Sequence, residues 1–136
     1  MGLSTALQAH CTEVARRHGV AVSFVAEGEF ADLDPDVAVG FFRMAQEALR
    51  NGIVHGRAGR LSVSLVRRPE RMELTVKDDG IGFDLEAVRK NGDGLGLVSI
   101  EERAHVLGGE AEIISTPRQG TTVRVRGPAG SATAAP

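Results

Sequence analysis

Residues 61–82 read LSVSLVRRPERMELTVKDDGIG. Leu61, Val63 and Leu65 alternate with polar or small partners, and Met72, Leu74 and Val76 do the same. A period of two marks a strand with one face buried. Arg67-Arg68-Pro69-Glu70 supplies a turn between the two runs, so the stretch reads as a β-hairpin. Asp78 is next in phase after Met72, Leu74 and Val76, and its carboxylate is therefore aimed at the apolar side. A bare charge there is costly without a hydrogen-bond donor. The exocyclic amine of a purine is one candidate donor. Asp79 takes the opposite phase and is expected in solvent. Gly80 and Gly82 then turn the chain with no side chain to block the site. A strand end followed by an Asx turn is the plainer alternative; the inward phase of Asp78 favours a ligand.

Upstream, Asp34-Pro35 pairs an N-cap side chain with a proline at the first helical position. Val37, Phe41, Met44 and Ala48 mark the buried stripe of the helix that follows, which runs to about His55 and is broken by Gly56-Arg57-Ala58-Gly59. Leu3, Leu7, Cys11 and Val14 predict an earlier amphipathic helix over 3–18, closed by Gly19. Val20, Val22 and Phe24 suggest a short strand, and 27–33 a loop. Downstream, 80–94 is expected to be a polar, glycine-bounded loop, and Leu95 to Leu107 a helix ended by Gly108-Gly109. Two strands follow, about 110–115 and 121–126, joined through Pro117-Arg118-Gln119-Gly120. The order α-β-α-β-β-α-β-β implies an α+β fold: a two-layer α/β sandwich with three helices on one face of the sheet. One domain is expected over 1–128. The Gly/Ala/Pro-rich tail begins near Gly127, and 129–136 are expected to be disordered.

The composition fits this reading. The chain has 136 residues, 42% hydrophobic and 25% charged, enough for one sizeable core. Five Phe and no Trp or Tyr mean that the core is mostly aliphatic. A net charge of −2 gives no overall basic field, so nucleic acid is not an expected partner and any anion must be held by local geometry. A single cysteine, Cys11, excludes an internal disulfide and fits a reducing compartment; its place on the apolar stripe makes it a core residue. No run approaches the roughly 20 apolar residues of a membrane span, and no signal peptide is visible. A cytoplasmic location is expected, with a membrane-anchored parent left open. Arg67, Arg68 and Arg71 are expected to be solvated at the hairpin tip. His18 and His105 have no metal-ligand partners at suitable spacing.

Three further constellations carry possible chemistry. Glu47, Asn51 and His55 are spaced by four on the second helix, a drift of only about 40° per step, and so share a face apart from the apolar stripe. A ligand lying along the helix and a solvated face are equal readings of that spacing. Gly92-Asp93-Gly94-Leu95-Gly96-Leu97 precedes a helix, where freed amides can meet phosphate oxygens. It lacks the strand–turn–helix context of a dinucleotide fingerprint and the Gly-Lys-Ser/Thr of a P-loop. Thr121 shares phase with Val123 and Val125, so its hydroxyl points inward and could read one base edge together with Asp78 and a water. Taken alone, an ordinary β-branched strand residue is the simpler reading.

Together and in this order, the elements resemble the ATP-binding domain of the gyrase, Hsp90, histidine kinase and MutL superfamily. The resemblance covers Leu3 to about Pro128. Gln46-Glu47-Ala48-Leu49-Arg50-Asn51-Gly52-Ile53-Val54-His55 looks like its N box, Asp78-Asp79-Gly80-Ile81-Gly82-Phe83 like its G1 box, and Gly92 to Leu97 like its G2 box. Ile100-Glu101-Glu102-Arg103, Leu107-Gly108-Gly109 and Gln119-Gly120-Thr121 are similar to the NarL/DesK-type branch of sensor kinases.

That likeness implies a Bergerat-type fold with a mixed, mostly antiparallel sheet, and ATP and Mg²⁺ as cofactors. It implies that Glu47 is the acid–base residue or polarises the attacking group, that Asn51 ligates Mg²⁺, and that His55 lies near the phosphates. Asp78 would accept from the adenine amine with support from Thr121. Gly80, Gly82, Gly92, Gly94, Leu95, Gly96 and Leu97 would shape the nucleotide site, with 83–93 as a short lid.

Two positions depart from the pattern. Val54 stands where a basic residue is common, which implies thinner phosphate contacts, and Gly52 stands where alanine is usual, at a helix cost of about 1 kcal/mol. The branch's phosphoacceptor histidine precedes an acidic residue. His10, His18, His55 and His105 precede Cys11, Gly19, Gly56 and Val106.

The expected function is therefore transfer of the ATP γ-phosphate to a histidine on a separate dimerisation segment, with a response regulator downstream, by a monomeric domain inactive without that segment. An anti-sigma-factor-type serine kinase is the rival enzyme. A non-catalytic nucleotide-binding or partner-docking module is the rival of another class.

Overall fold

The computed structural model describes residues 2–92 and 96–130. Helix α1 spans Leu3–His18 and buries Leu3, Leu7 and Cys11; Gly19 closes it in the left-handed conformation, φ 65°, its N–H bonded to the Ala15 carbonyl. Burial pushes the Cys11 thiol up to about 11, the mark of an inert core cysteine. Helix α2 spans Pro35–Arg50, and the Asp34 side chain caps it by accepting from the Asp36 N–H at 2.8 Å. Its buried stripe includes Val37, Phe41, Met44 and Ala48. The helix then changes winding. Asn51–His55 form a π-helical turn, with the Gly56 N–H donating to the Asn51 carbonyl at 2.9 Å. Such turns are rare and collect at functional sites.

The strands are β1 (Ala21–Glu27), β2 (Arg60–Arg67), β3 (Arg71–Asp78), β4 (Glu110–Ser115) and β5 (Thr121–Pro128). They form one sheet in the order β1-β2-β3-β5-β4. β1 and β2 pair in parallel, because α2 crosses over between them; every other pairing is antiparallel. Helices α1, α2 and α4 (Leu97–Val106) form the second layer of an α+β sandwich. Phe41, Leu7, Met44 and Leu49 of the helices meet Leu65, Leu74, Val63 and Val125 of the sheet, all under 2% exposed. Each contributes about 1.5–3 kcal/mol of apolar burial. Among the described residues no helix is long and apolar enough to cross a membrane.

Besides the π turn, the fold differs from the sequence reading within 80–94, at the end of β5 and at Arg67. The segment expected to be a loop over 80–94 contains a short helix, α3 (Leu85–Lys90), capped by Asp84, whose carboxylate accepts from the Ala87 N–H. Leu85 and Val88 turn its apolar side to the core, but six residues are too few to show a helical period. Gly127 and Pro128, read as the start of the tail, are the end of β5. Pairing with β3 continues to Arg71↔Pro128, and Ala129 is 1% exposed with its N–H on the Glu70 carbonyl. Arg67 is not solvated. Its side chain is only 8% exposed, and its guanidinium donates to Asp32 at 2.8 Å and to the Glu29 carbonyl at 3.1 Å, fastening the β1–α2 loop to β2. Asp93, Gly94, Leu95 and residues 131–136, where the rest of the expected tail falls, lie outside the described residues.

Candidate functional site

A cavity of about 340 Å³ opens where the end of α2 faces the ends of β3 and β5, with α3 and the start of α4 as its rim. Ala48, Ile81, Phe83, Val88, Leu97 and Val123 give it apolar walls, and Asn51, His55, Asp78 and Thr121 supply the polar groups. Asp78 and Thr121 are paired across β3 and β5, so their side chains start from adjacent points of the same face.

Asp78 is half-buried. Burial pushes its carboxyl above the ordinary carboxylate range, while the Gly80 and Thr121 amides pull it partly back. The Gly80 N–H reaches Oδ1 at 2.8 Å. Behind the carboxylate lies Gly52, where an added β-carbon would stand 2.9 Å from Asp78 Oδ2 and 2.9 Å from Leu61 Cδ2. The glycine that weakens helix winding is thus what lets the π turn close against Asp78. Asp79, in the opposite phase, is exposed. Its carboxylate accepts from the Gly59 and Arg60 amides at 2.9 and 3.0 Å, and these bonds hold its pKa down.

Asn51 is the sharpest feature of the cavity. Both polar atoms of its side chain, Oδ1 and Nδ2, are buried, and neither has a hydrogen-bond partner among the described residues. An unsatisfied buried polar group costs roughly 1–3 kcal/mol, so such a group in a cavity wall calls for a partner from outside the fold. His55 stands exposed at the cavity mouth. Among the described residues no group of three or more His, Cys, Asp or Glu stands together to hold a metal ion. Any cation here would depend on Asn51 Oδ1, water and the ligand's own oxygens.

Thr121 Oγ1 lies 2.7 Å from Ser115 Oγ, which also accepts from the Phe83 N–H at 2.9 Å and lies 3.3 Å from the Gly120 carbonyl. Ser115 therefore ties the start of β5 to the segment that leads into α3. Sequence reasoning missed it, although Ala111, Ile113 and Ser115 share one strand phase, the same signal that singled out Asp78 and Thr121.

The glycines divide by role. Gly82 and Gly92 line the cavity at φ 64° and 83°, and Leu97 forms part of its wall. Gly80 does not line it; its bare Cα lets the Gly56 carbonyl pack close. Gly96 opens α4 at φ 70°. Gly94 and Leu95 lie outside the described residues.

Glu47 stands apart from Asn51 and His55. It lines a second hollow, an open groove of about 550 Å³ between α1, α2 and α4, and its carboxylate rests against Gly96 at the seam between groove and cavity. One α-helical step of four already turns Asn51 by roughly 40° from Glu47, and Glu47 lines the groove while Asn51 and His55 line the cavity. Val54, half-exposed, also faces the groove. The groove is the larger hollow, but the sealed amide and the half-buried carboxylate are in the cavity, which makes the cavity the candidate ligand site.

Comparison with known proteins gives the family and the fold. The family described as "Histidine kinase-, DNA gyrase B-, and HSP90-like ATPase" matches residues 36–131. An uncharacterized sensor-like histidine kinase of Chloroflexus aurantiacus is 37% identical over 131 residues, covering 91% of this chain and 22% of that protein. The signal transduction histidine-protein kinase/phosphatase DegS of Brevibacillus brevis is 31% identical over 123 residues, covering 90% and 31%. The chain thus spans less than a third of the length of these relatives. The ATP binding domain of PrrB from Mycobacterium tuberculosis has the same fold, with a TM-score of 0.74 at 23% identity over 96% of each chain. The chain belongs to the histidine kinase-, DNA gyrase B- and HSP90-like ATPase family, in the branch of the two-component sensor kinases.

Proposed function

We propose that this domain binds ATP with Mg²⁺ in the cavity and gives the γ-phosphate to a histidine on a separate dimerisation segment of its kinase. The observation that carries this reading is the sealed, unpartnered Asn51 amide beside the half-buried Asp78 carboxylate. Asp78 accepts from the exocyclic amine of adenine, a donor that compensates a desolvated acceptor. Thr121, held by Ser115, supports the same edge of the base. Asn51 offers Oδ1 as a hard oxygen ligand, and His55 stands near the phosphates at the mouth. Gly82, Gly92, Gly96 and Leu97, with Gly94 and Leu95 of the same motif, shape the phosphate end, while Gly80 fixes the strand exit. Mg²⁺, when bound, supplies charge neutralisation on the phosphates.

Glu47 faces the side from which an acceptor must approach. It orients the acceptor imidazole and takes its proton as the nitrogen–phosphorus bond forms and the bond to the β–γ bridging oxygen breaks, with ADP leaving. Positioning and charge stabilisation provide most of the rate, as is general for phosphoryl transfer. The reading entails a cytoplasmic domain, monomeric alone, that needs the histidine-bearing segment for turnover and acts on a response regulator only through it.

Calorimetric titration with ADP and with ATP–Mg²⁺ tests the site. Addition of a histidine-bearing helix pair from a related sensor kinase tests the transfer. Binding with transfer to that histidine is expected. Transfer to a serine of a protein substrate instead would favour the serine-kinase reading, and binding with transfer to neither would favour a nucleotide-sensing or docking module.

A further inference from the structure

The groove beside the cavity has a strong local charge. Arg17, Arg43, Arg50 and Arg103 line it against one carboxylate, Glu47, in a chain whose net charge is −2. Arg17 is partly offset by Glu13 at 3.5 Å, and Arg43 is held by Gln46 at 3.0 Å. Arg50 and Arg103 are exposed and make no ion pair among the described residues. The floor between these cations is apolar, built from Val14, Ile53, Ile100 and the half-exposed Val54. Cations around an apolar floor match the shape and charge of an amphipathic helix with acidic flanks.

The groove is also continuous with the proposed chemistry. Glu47 lines it, and Glu47 lies against Gly96, which leads into the wall of the nucleotide cavity. α4 serves both hollows, with Leu97 in the cavity and Ser99, Ile100 and Arg103 in the groove.

We propose that this α1–α2–α4 groove is the docking surface for the histidine-bearing helix, which lays its apolar face on Ile53 and Val54 and its acidic flank along Arg50 and Arg103. The proposal rests on the phosphotransfer reading and adds the surface and the chemistry of the partner. Val54 then has a purpose: it gives the partner helix an apolar contact at the rim. The position of the partner is set by charges outside the nucleotide cavity, so docking and nucleotide binding are separable.

The test compares wild type with Arg50→Glu/Arg103→Glu. ADP affinity is read by calorimetry, and transfer from ATP is read against the concentration of a separately supplied histidine-bearing helix pair from a related sensor kinase. The double variant is expected to keep ADP affinity while its KM for the helix pair rises roughly tenfold or more. Added salt should move wild type toward the variant, and an acid-to-arginine exchange on the helix pair should restore part of the loss. An unchanged KM for the helix pair in the double variant, with wild type active, would overturn the docking surface and leave the phosphotransfer reading standing. Loss of short-duplex DNA binding in the variant with unchanged transfer would assign the groove to nucleic acid and overturn it too. Wild type that binds no ADP, or binds it and transfers nothing, would remove the reading on which the proposal rests.

Discussion

The carboxylate of Glu47 rests against the Cα of Gly96, so closely that a β-carbon at position 96 would overlap Glu47 Oε1. The end of α2 and the start of α4 thus meet through a carboxylate and a glycine. Gly96 is also left-handed, φ 70°. Alanine there meets two penalties: a backbone cost on the order of 1–2 kcal/mol and eviction of the Glu47 side chain. Gly96→Ala is expected to lower the phosphotransfer rate as far as Glu47→Gln does, with a melting temperature a few degrees lower. Transfer at the wild-type rate by Gly96→Ala would show that Glu47 needs no fixed position.

At Asp78, stability and the proposed role in nucleotide binding carry opposite signs. Its pKa is raised in the folded chain, chiefly by burial. The folded state therefore holds the proton more tightly than the unfolded chain. The favourable contribution is present at pH below the ordinary carboxylate value and is lost as pH rises through the raised one. At neutral pH the ionised side chain is a net cost to the fold. Asp78→Asn is expected to melt at or above the wild-type temperature at pH 7, with the difference shrinking below about pH 4, and to bind no adenine nucleotide. A variant that melts far below wild type at neutral pH, or that titrates ADP normally, would contradict this assignment.

Much of this architecture was legible because two periods were clean. The period of two located β2, β3 and β5, and it also put Asp78 and Thr121 on the inner face. The helical stripe through Phe41, Met44 and Ala48 located α2 and its buried side. What escaped was local. Asn51–His55 wind as a π turn whose Gly52 backbone packs onto Asp78 and Leu61, 26 and 9 residues away in sequence, contacts that no local pattern encodes. Glu47 faces the groove whereas Asn51 and His55 line the cavity, although simple spacing grouped the three together. The burial of Arg67 depends on Asp32, 35 positions away.

Ser115 makes the closing contact between Phe83, Gly120 and Thr121. Ser115→Ala removes the bond to the Phe83 amide and frees the Thr121 hydroxyl to rotate. A hydrogen bond of this kind is worth about 1 kcal/mol. ADP affinity is expected to fall by roughly fivefold, in line with that figure, with a small loss of thermal stability. Calorimetry and differential scanning measurements check both. Unchanged affinity would separate Thr121 from base recognition.

Asn51 offers the strictest test, because its two proposed properties pull against each other. In the free protein its amide is sealed with no partner among the described residues, and replacing such a group by an apolar one of similar shape removes the desolvation cost. Asn51→Leu should therefore raise the stability of the nucleotide-free domain by about 1–3 kcal/mol. The same change removes the side-chain oxygen proposed for Mg²⁺, so ATP should bind the variant equally with and without the cation, whereas wild type should bind it more tightly with Mg²⁺ present. Ligand at a hundredfold excess over Kd stabilises a fold by about 2.7 kcal/mol. The order of melting temperatures should invert on addition of saturating ATP–Mg²⁺: Asn51→Leu above wild type without nucleotide, below it with nucleotide. A nucleotide-free variant less stable than wild type would mean that the amide is satisfied within the fold. A Mg²⁺ effect that survived the substitution would remove Asn51 from the metal's coordination sphere, and either result would leave the cavity without the feature that most sets it apart.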